Sequence, residues 1–169
     1  MTEFRDIGAF AAIDVGSGIA VELTVDSGAA PAVSVTFDDN LVDRLVTSVE
    51  GSTLVIEFDG SFRTSGSGPM VAVTAVRIES LEASGGSSVT GTGAVDAYRV
   101  RASGGSSVNL RDLDAATVEV DASGGSRVVV FAAASVSGEA SGGSSVDVYG
   151  TPASSSVAES GGAEVIIHP

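Results

Sequence analysis

A right-handed parallel β-helix (β-solenoid), one all-β domain wound in coils of about 18–20 residues, is the fold the sequence predicts. Three observations predict it. First, a heptapeptide recurs five times: Ala83-Ser-Gly-Gly-Ser-Ser-Val89, Ala102 to Val108, Ala122 to Val128 with Arg127 in sixth place, Ala140 to Val146, and Glu159 to Val165 in altered form. Its first serines, Ser84, Ser103, Ser123, Ser141 and Ser160, stand 19, 20, 18 and 19 residues apart, the period of units that stack each on the one before. Second, the flanking arms alternate apolar and polar residues, as half-buried strands do. Third, 43% of the chain is hydrophobic but only 5% aromatic. A core of Val, Ala, Ile and Leu suits narrow stacked coils. The residues do not encode handedness; right-handed winding is expected because parallel crossovers favour it.

The single domain, 1–169, divides by texture. Residues 8–70 are expected to form less regular N-terminal coils. Ile19, Val21, Leu23 and Val25 alternate with polar or small residues, as do Val33, Val35 and Phe37, then Leu54, Ile56 and Phe58. Turn clusters separate these strands at Asp26–Gly28, Phe37–Asn40, Glu50–Ser52, Asp59–Gly60 and Arg63–Pro69. Leu41 to Val49 is the one stretch with any helical pattern, and the β-branched Val46, Thr47 and Val49 oppose it.

Residues 71–167 carry the repeat coils. Before each heptapeptide, Leu81/Ala83, Val100/Ala102, Val120/Ala122 and Gly138/Ala140 are expected inward, with Glu82, Arg101, Asp121 and Glu139 outward between them. After it, Val89, Val108, Val128, Val146 and Val165 form an inward column, continued by Leu110, Val130, Val148 and Ile167. Thr90, Asn109, Val129, Asp147 and Ile166 are expected outward. The glycine pair supplies positive φ and close stacking at a corner. Ser87, Ser106, Ser126 and Ser144 share the inward parity, and predict an internal ladder in which each hydroxyl donates to one coil and accepts from the next. In the fifth copy Glu159 takes the inward place of Ala, and Glu164 an outward serine place. A charge is tolerable there only if the coil is open to water, so this copy is expected to cap the stack, with 166–169 as its closing strand. About eight coils at ~4.8 Å would make a rod roughly 35–40 Å long.

The charge narrows the partners. Twenty-two acidic and eight basic residues give a net charge of −14. Such a surface repels nucleic acid and anionic membranes. No apolar run approaches membrane-spanning length, so no direct membrane insertion is expected. Cysteine is absent, which excludes disulfides and thiol chemistry. The opening Met1-Thr-Glu-Phe-Arg-Asp6 lacks the basic and apolar regions of a signal peptide.

No catalytic, cofactor-binding or metal-binding residues are expected. The one histidine, His168, is read as a chain-end residue, and Ser-Gly-Gly-Ser-Ser does not form a Gly-x-Ser-x-Gly elbow. Glu82, Asp121 and Glu139 offer carboxylates, read as an exposed charge ladder rather than a glycosidase pair. Asp38, Asp39, Asn40 and Asp43, or Asp112 with Asp114, offer oxygen ligands for calcium and are read as ordinary acidic turns. No Gly-Lys-Ser/Thr follows a glycine, which excludes a phosphate loop. Tyr98, Tyr149 and Phe131 are read as packing residues before a sugar-binding strip.

The order of elements resembles a known family. Phe10-Ala-Ala-Ile-Asp-Val15, Phe37-Asp-Asp-Asn-Leu41, Val49-Glu-Gly-Ser-Thr-Leu-Val-Ile-Glu57 and Val71-Ala-Val-Thr74 precede serial Ser-Gly coils. This is similar to the GIN-type head domain of putative auto-transporter adhesins, over about residues 8–167. The resemblance implies a right-handed parallel β-helix in an extracellular or cell-envelope protein, and brings no catalytic residues. Two departures stand out. The export or lipid-attachment signal common in such proteins is missing, so a cytoplasmic location is compatible with the chain. The Pro-Leu pair often found before the first Ser-Gly coil is replaced by Val76-Arg-Ile-Glu-Ser-Leu81. The functional expectation is a non-enzymatic surface module binding an unknown protein or glycan partner. A structural self-assembling β-solenoid is the alternative, followed by a carbohydrate-active enzyme. Either a monomer or a homo-oligomer fits.

Overall fold

Among the described residues, the alternation read from the sequence becomes fifteen strands and a single turn of 3₁₀ helix. In chain order they are β1 (Thr2–Arg5), β2 (Ala12–Val15), β3 (Ala20–Val25), β4 (Ala32–Thr36), the 3₁₀ turn (Val42–Arg44), β5 (Leu45–Glu50), β6 (Thr53–Phe58), β7 (Met70–Ala75) and β8 (Ser80–Ala83). The repeat region follows with β9 (Ser88–Ala102), β10 (Ser107–Ala122), β11 (Arg127–Phe131), β12 (Ser135–Ala140), β13 (Ser145–Tyr149), β14 (Ser154–Glu159) and β15 (Glu164–His168). This computed structural model describes residues 1–61, 63 and 67–169. The turn expected at Arg63–Pro69 falls partly on residues outside that description. The result is an all-β single domain with almost no helix, its strands joined in one sheet.

In the repeat region every pairing is parallel, and partners are one repeat apart. Ser88 pairs Ser107, Ser107 pairs Arg127, Arg127 pairs Ser145 and Ser145 pairs Glu164. A second ladder runs β8–β9–β10–β12–β14. The long strands β9 and β10 belong to both ladders, and the sheet turns between them at Gly93 (φ 125°) and at a register shift between Asn109 and Asp112. A Cβ on Gly93 would lie 2.3 Å from the Val25 carbonyl oxygen, so glycine is required there by contact as well as by φ. Both ladders turn their apolar faces to one core. Val89, Val108, Val128 and Val146 are buried in register, as are Leu110, Val130 and Val148.

The N-terminal half departs from the expectation of successive coils. β3 pairs in parallel with both β9 and β7, and β2 with both β8 and β6. Strands β2 and β3 therefore lie between β6 and β7 on one side and β8 and β9 on the other, out of chain order. Beyond it the pairing changes sense: β4 is antiparallel to β7, β1 to β4, and β5 to β6. The β5–β6 link is the two residues Gly51 (φ 63°) and Ser52, and a link that short can join only antiparallel neighbours. These strands cover the edges that the parallel ladders would leave open. Leu41 to Val49 divides as the β-branched residues require, into the 3₁₀ turn and β5.

Candidate interaction surface

The repeated corner is a type I′ β-turn. Ser87 N donates to Ser84 O at 3.2 Å, and the two central residues, Gly85 and Gly86, have φ of 61° and 76°. That turn needs positive φ at both central positions, which explains the glycine pair. Equivalent turns stand at Ser103–Ser106, Ser123–Ser126, Ser141–Ser144 and Ser160–Ala163. A sixth turn went unread in the sequence. Gly16–Ile19 sits beside Ser84–Ser87, with Ser17 at φ 61° and Gly18 at φ 70°. The signal was present: Val15 and Val21 flank it at the spacing of Ala83 and Val89.

The inward serines are buried as expected, but their hydroxyls do not bond one another. Each donates to backbone carbonyls. Ser106 Oγ reaches Ser103 O at 2.7 Å and Ala83 O, in the preceding repeat, at 2.9 Å. Ser126 Oγ reaches Ala102 O at 3.0 Å and Ser144 Oγ reaches Ala122 O at 3.1 Å. Carbonyls at the bend have a spare lone pair and lie closer than the next hydroxyl one strand away. The ladder is thus structural and offers nothing to a ligand.

The outward columns form the exposed surface. Asp14, Glu82, Arg101, Asp121 and Glu139 follow one another in register. Arg101 Nε bonds Asp121 at 3.3 Å, and beside it Arg99 bonds Glu119 at 2.7 Å. The Glu119 hydrogen bond and charge raise the Arg99 pKa further above its ordinary value. In this column Arg101 stands between Glu82 and Asp121. Depressions of about 130 Å³ beside Glu82 and Arg101 and about 440 Å³ beside Arg99 and Glu119 lie on this face.

The aromatics divide. Tyr98 is buried in the core. Phe131, Tyr149 and His168 make an outward column. Arg111 lies 4.0 Å from the Tyr149 ring centroid, and His168 stacks on the same ring at 4.5 Å. With its neighbours already against it, Tyr149 does not offer the bare ring a sugar platform uses. The depression of about 460 Å³ beside these rings is rimmed by Asp112 and Asp114. Asp39 takes the N-terminal ammonium at 3.1 Å. Among the described residues no three His, Asp or Glu side chains gather as a metal site.

Comparison with known proteins completes the description. No functionally curated protein matches the chain in sequence. Solved structures share its fold: a putative adhesin from Bacteroides fragilis NCTC 9343 superposes with a TM-score of 0.63 at 18% identity, over 99% of this chain and 96% of that one. A putative adhesin from Parabacteroides merdae ATCC 43184 gives 0.50 at 15% identity, over 98% and 95%. One family model, described as putative auto-transporter adhesin, head GIN domain, matches residues 9–93 and again residues 63–152. With most of its length matched, and with the fold of two adhesin-like structures, the chain belongs to the head GIN domain family of putative auto-transporter adhesins.

Proposed function

We propose that the chain is a right-handed parallel β-helix that works outside the cell or on its surface as a non-enzymatic binding module. Pairing offsets of one repeat, all parallel from β8 onward, support the winding. The observation that carries the binding role is the outward face with its ordered column of Asp14, Glu82, Arg101, Asp121 and Glu139. A stacked backbone fixes these charges at strand spacing, so the face is preorganised for a protein or glycan partner. Family membership supports the same role and the location. The reading needs no cofactor and no nucleic acid.

The test is binding of the purified chain to glycan arrays and to immobilised bacterial and host surface proteins. Saturable binding is expected, weakened about tenfold or more by reversing Arg99 and Arg101 to Glu. A folded chain that binds none of these surfaces would sink the reading. So would turnover of a polysaccharide that is lost on mutating Glu82 or Asp121, which would restore the enzyme alternative.

A further inference from the structure

The last repeat ends in two half-paired strands: β14 pairs only β12, and β15 only β13. The backbone bonds show which groups of β15 remain. Glu164 N donates to Ser144 O at 3.0 Å, and His168 O accepts from Gly150 N at 3.1 Å. Strand geometry alternates these directions, so Glu164, Ile166 and His168 face β13 with their backbone, and Val165 and Ile167 face the free edge. One free donor is occupied. Glu159 Oε1 accepts from Val165 N at 2.8 Å. Glu159 holds the place that Ala83, Ala102, Ala122 and Ala140 hold in the earlier repeats. An ionised carboxylate there covers an edge donor and sets a charge beside an apolar end. Ile167 continues the column of Leu110, Val130 and Val148, yet it is 41% exposed, as is Ile166.

We infer that this end is a docking edge for a second copy of the chain, and that Glu159 holds it closed. The inference goes beyond the binding role and stands without it. The occupant is identified by register and charge. A two-fold axis through Ile166 sets β15 antiparallel to the second copy's β15. Val165 then lies opposite the second copy's Ile167, the arrangement in which opposed residues exchange both backbone hydrogen bonds. Glu164 lies opposite the second copy's His168, and the same pair recurs across the axis. His168 keeps Nε2 on Asp147 at 2.9 Å, and uptake of a second proton at Nδ1 would let the ring donate to that carboxylate as well. The outward isoleucines meet at the axis. A self-complementary edge of this kind closes as a dimer rather than growing into a fibre. Glu159 opposes it twice, by occupying Val165 N–H and by bringing two like charges to the junction.

The test is the mass in solution of the 169-residue chain over a concentration series, by light scattering and sedimentation. The wild type is expected at the monomer mass of 16.6 kDa. Glu159→Ala, which restores the residue of the other repeats, is expected to double that mass with an unchanged circular dichroism spectrum. Glu159→Gln keeps the length and removes the charge, so it gives the same test should the alanine variant fold poorly. Adding Ile166→Lys to either is expected to return the mass to monomer. The inference is overturned if folded Glu159 variants stay monomeric. It is equally overturned if the wild type is already dimeric, if Ile166→Lys leaves the dimer intact, or if the mass grows without limit.

Discussion

Tyr98 carries a phenol into an interior that, among the described residues, is otherwise made of aliphatic side chains, three phenylalanines and four serines. It is 4% exposed, and its hydroxyl has no hydrogen-bond partner within the protein. Its register neighbours Val118 and, beyond it, Val136 offer nothing polar. A buried hydroxyl left without a partner costs free energy that a ring of the same shape avoids. Tyr98→Phe is therefore expected to stabilise the fold by about 1 kcal/mol at neutral pH. Burial also pushes the Tyr98 pKa well above its ordinary value, and this sets a sign. In the unfolded chain the phenol ionises from about pH 10; in the folded chain it stays neutral to higher pH. Above that point the unfolded state holds fewer protons, so stability falls as pH rises, by up to about 1.4 kcal/mol per pH unit until the folded phenol also ionises. Below it the contribution is fully present. The phenylalanine variant lacks this loss. Urea midpoints of both proteins, at neutral pH and near pH 11, check it: the gap between them should widen in alkali. A constant gap would mean that the Tyr98 hydroxyl reaches water and ionises in the folded protein as it does in the unfolded chain.

At the scale of the element, the corner turn separates two reasons for glycine that the sequence merges. Gly124 and Gly125 both have positive φ, 61° and 75°. A Cβ on Gly124 would lie 3.0 Å from Gly104 N in the preceding repeat, whereas one on Gly125 would meet nothing within 4 Å. Gly125→Ala should cost about 1 kcal/mol, the left-handed strain alone. Gly124→Ala adds a clash with backbone that cannot swing aside, and should cost about 2 kcal/mol or more. Equal thermal shifts for the two variants would mean that the repeats separate easily at the corner. The repeats were legible because Ser-Gly-Gly-Ser states the turn, the contact and the parity together. Gly16–Ile19 makes the same turn, and only the spacing of Val15 and Val21 marks it. Ser17 accepts positive φ there despite its Cβ, and Ile19 replaces the inward serine, so the Ser-Gly-Gly-Ser motif itself is lost. The placement of β2 and β3 between β6 and β7 on one side and β8 and β9 on the other was hidden. Period-two alternation reports which face of a strand is buried, and is silent on which strand lies beside it. The charged face was legible as a column because internal alignment gives register, but its ion pairs were not. Arg99 and Glu119 pair at 2.7 Å, one column away from the residues that the alignment singled out.

Across the whole molecule, each repeat touches mainly the one before and the one after, so stability is expected to depend on depth in the stack. The two ends differ. Antiparallel β1 and β5 flank the N-terminal side, while β14 and β15 pair on one side only. The loss of cover is visible within one column: Leu110, Val130 and Val148 are 0% exposed, and Ile167 is 41% exposed. Four backbone amides measure the consequence, because they make one equivalent bond in four successive repeats. Ser107 N donates to Ser87 O at 2.9 Å, Arg127 N to Ser106 O at 3.0 Å, Ser145 N to Ser126 O at 2.9 Å, and Glu164 N to Ser144 O at 3.0 Å. Bond length and local geometry barely change along this series, so any gradient in exchange reflects the opening of repeats rather than the strength of each bond. Hydrogen exchange is expected to be fastest at Glu164, slower at Ser145, and slowest at Arg127 and Ser107. Opening free energies should run from near zero at the end toward the global value of about 5–15 kcal/mol in the middle. Equal protection at all four amides would mean that the stack opens as one unit. The last repeat would then be tied down by Glu159 and by the Asp147–His168 bond as firmly as an inner repeat is by its two neighbours.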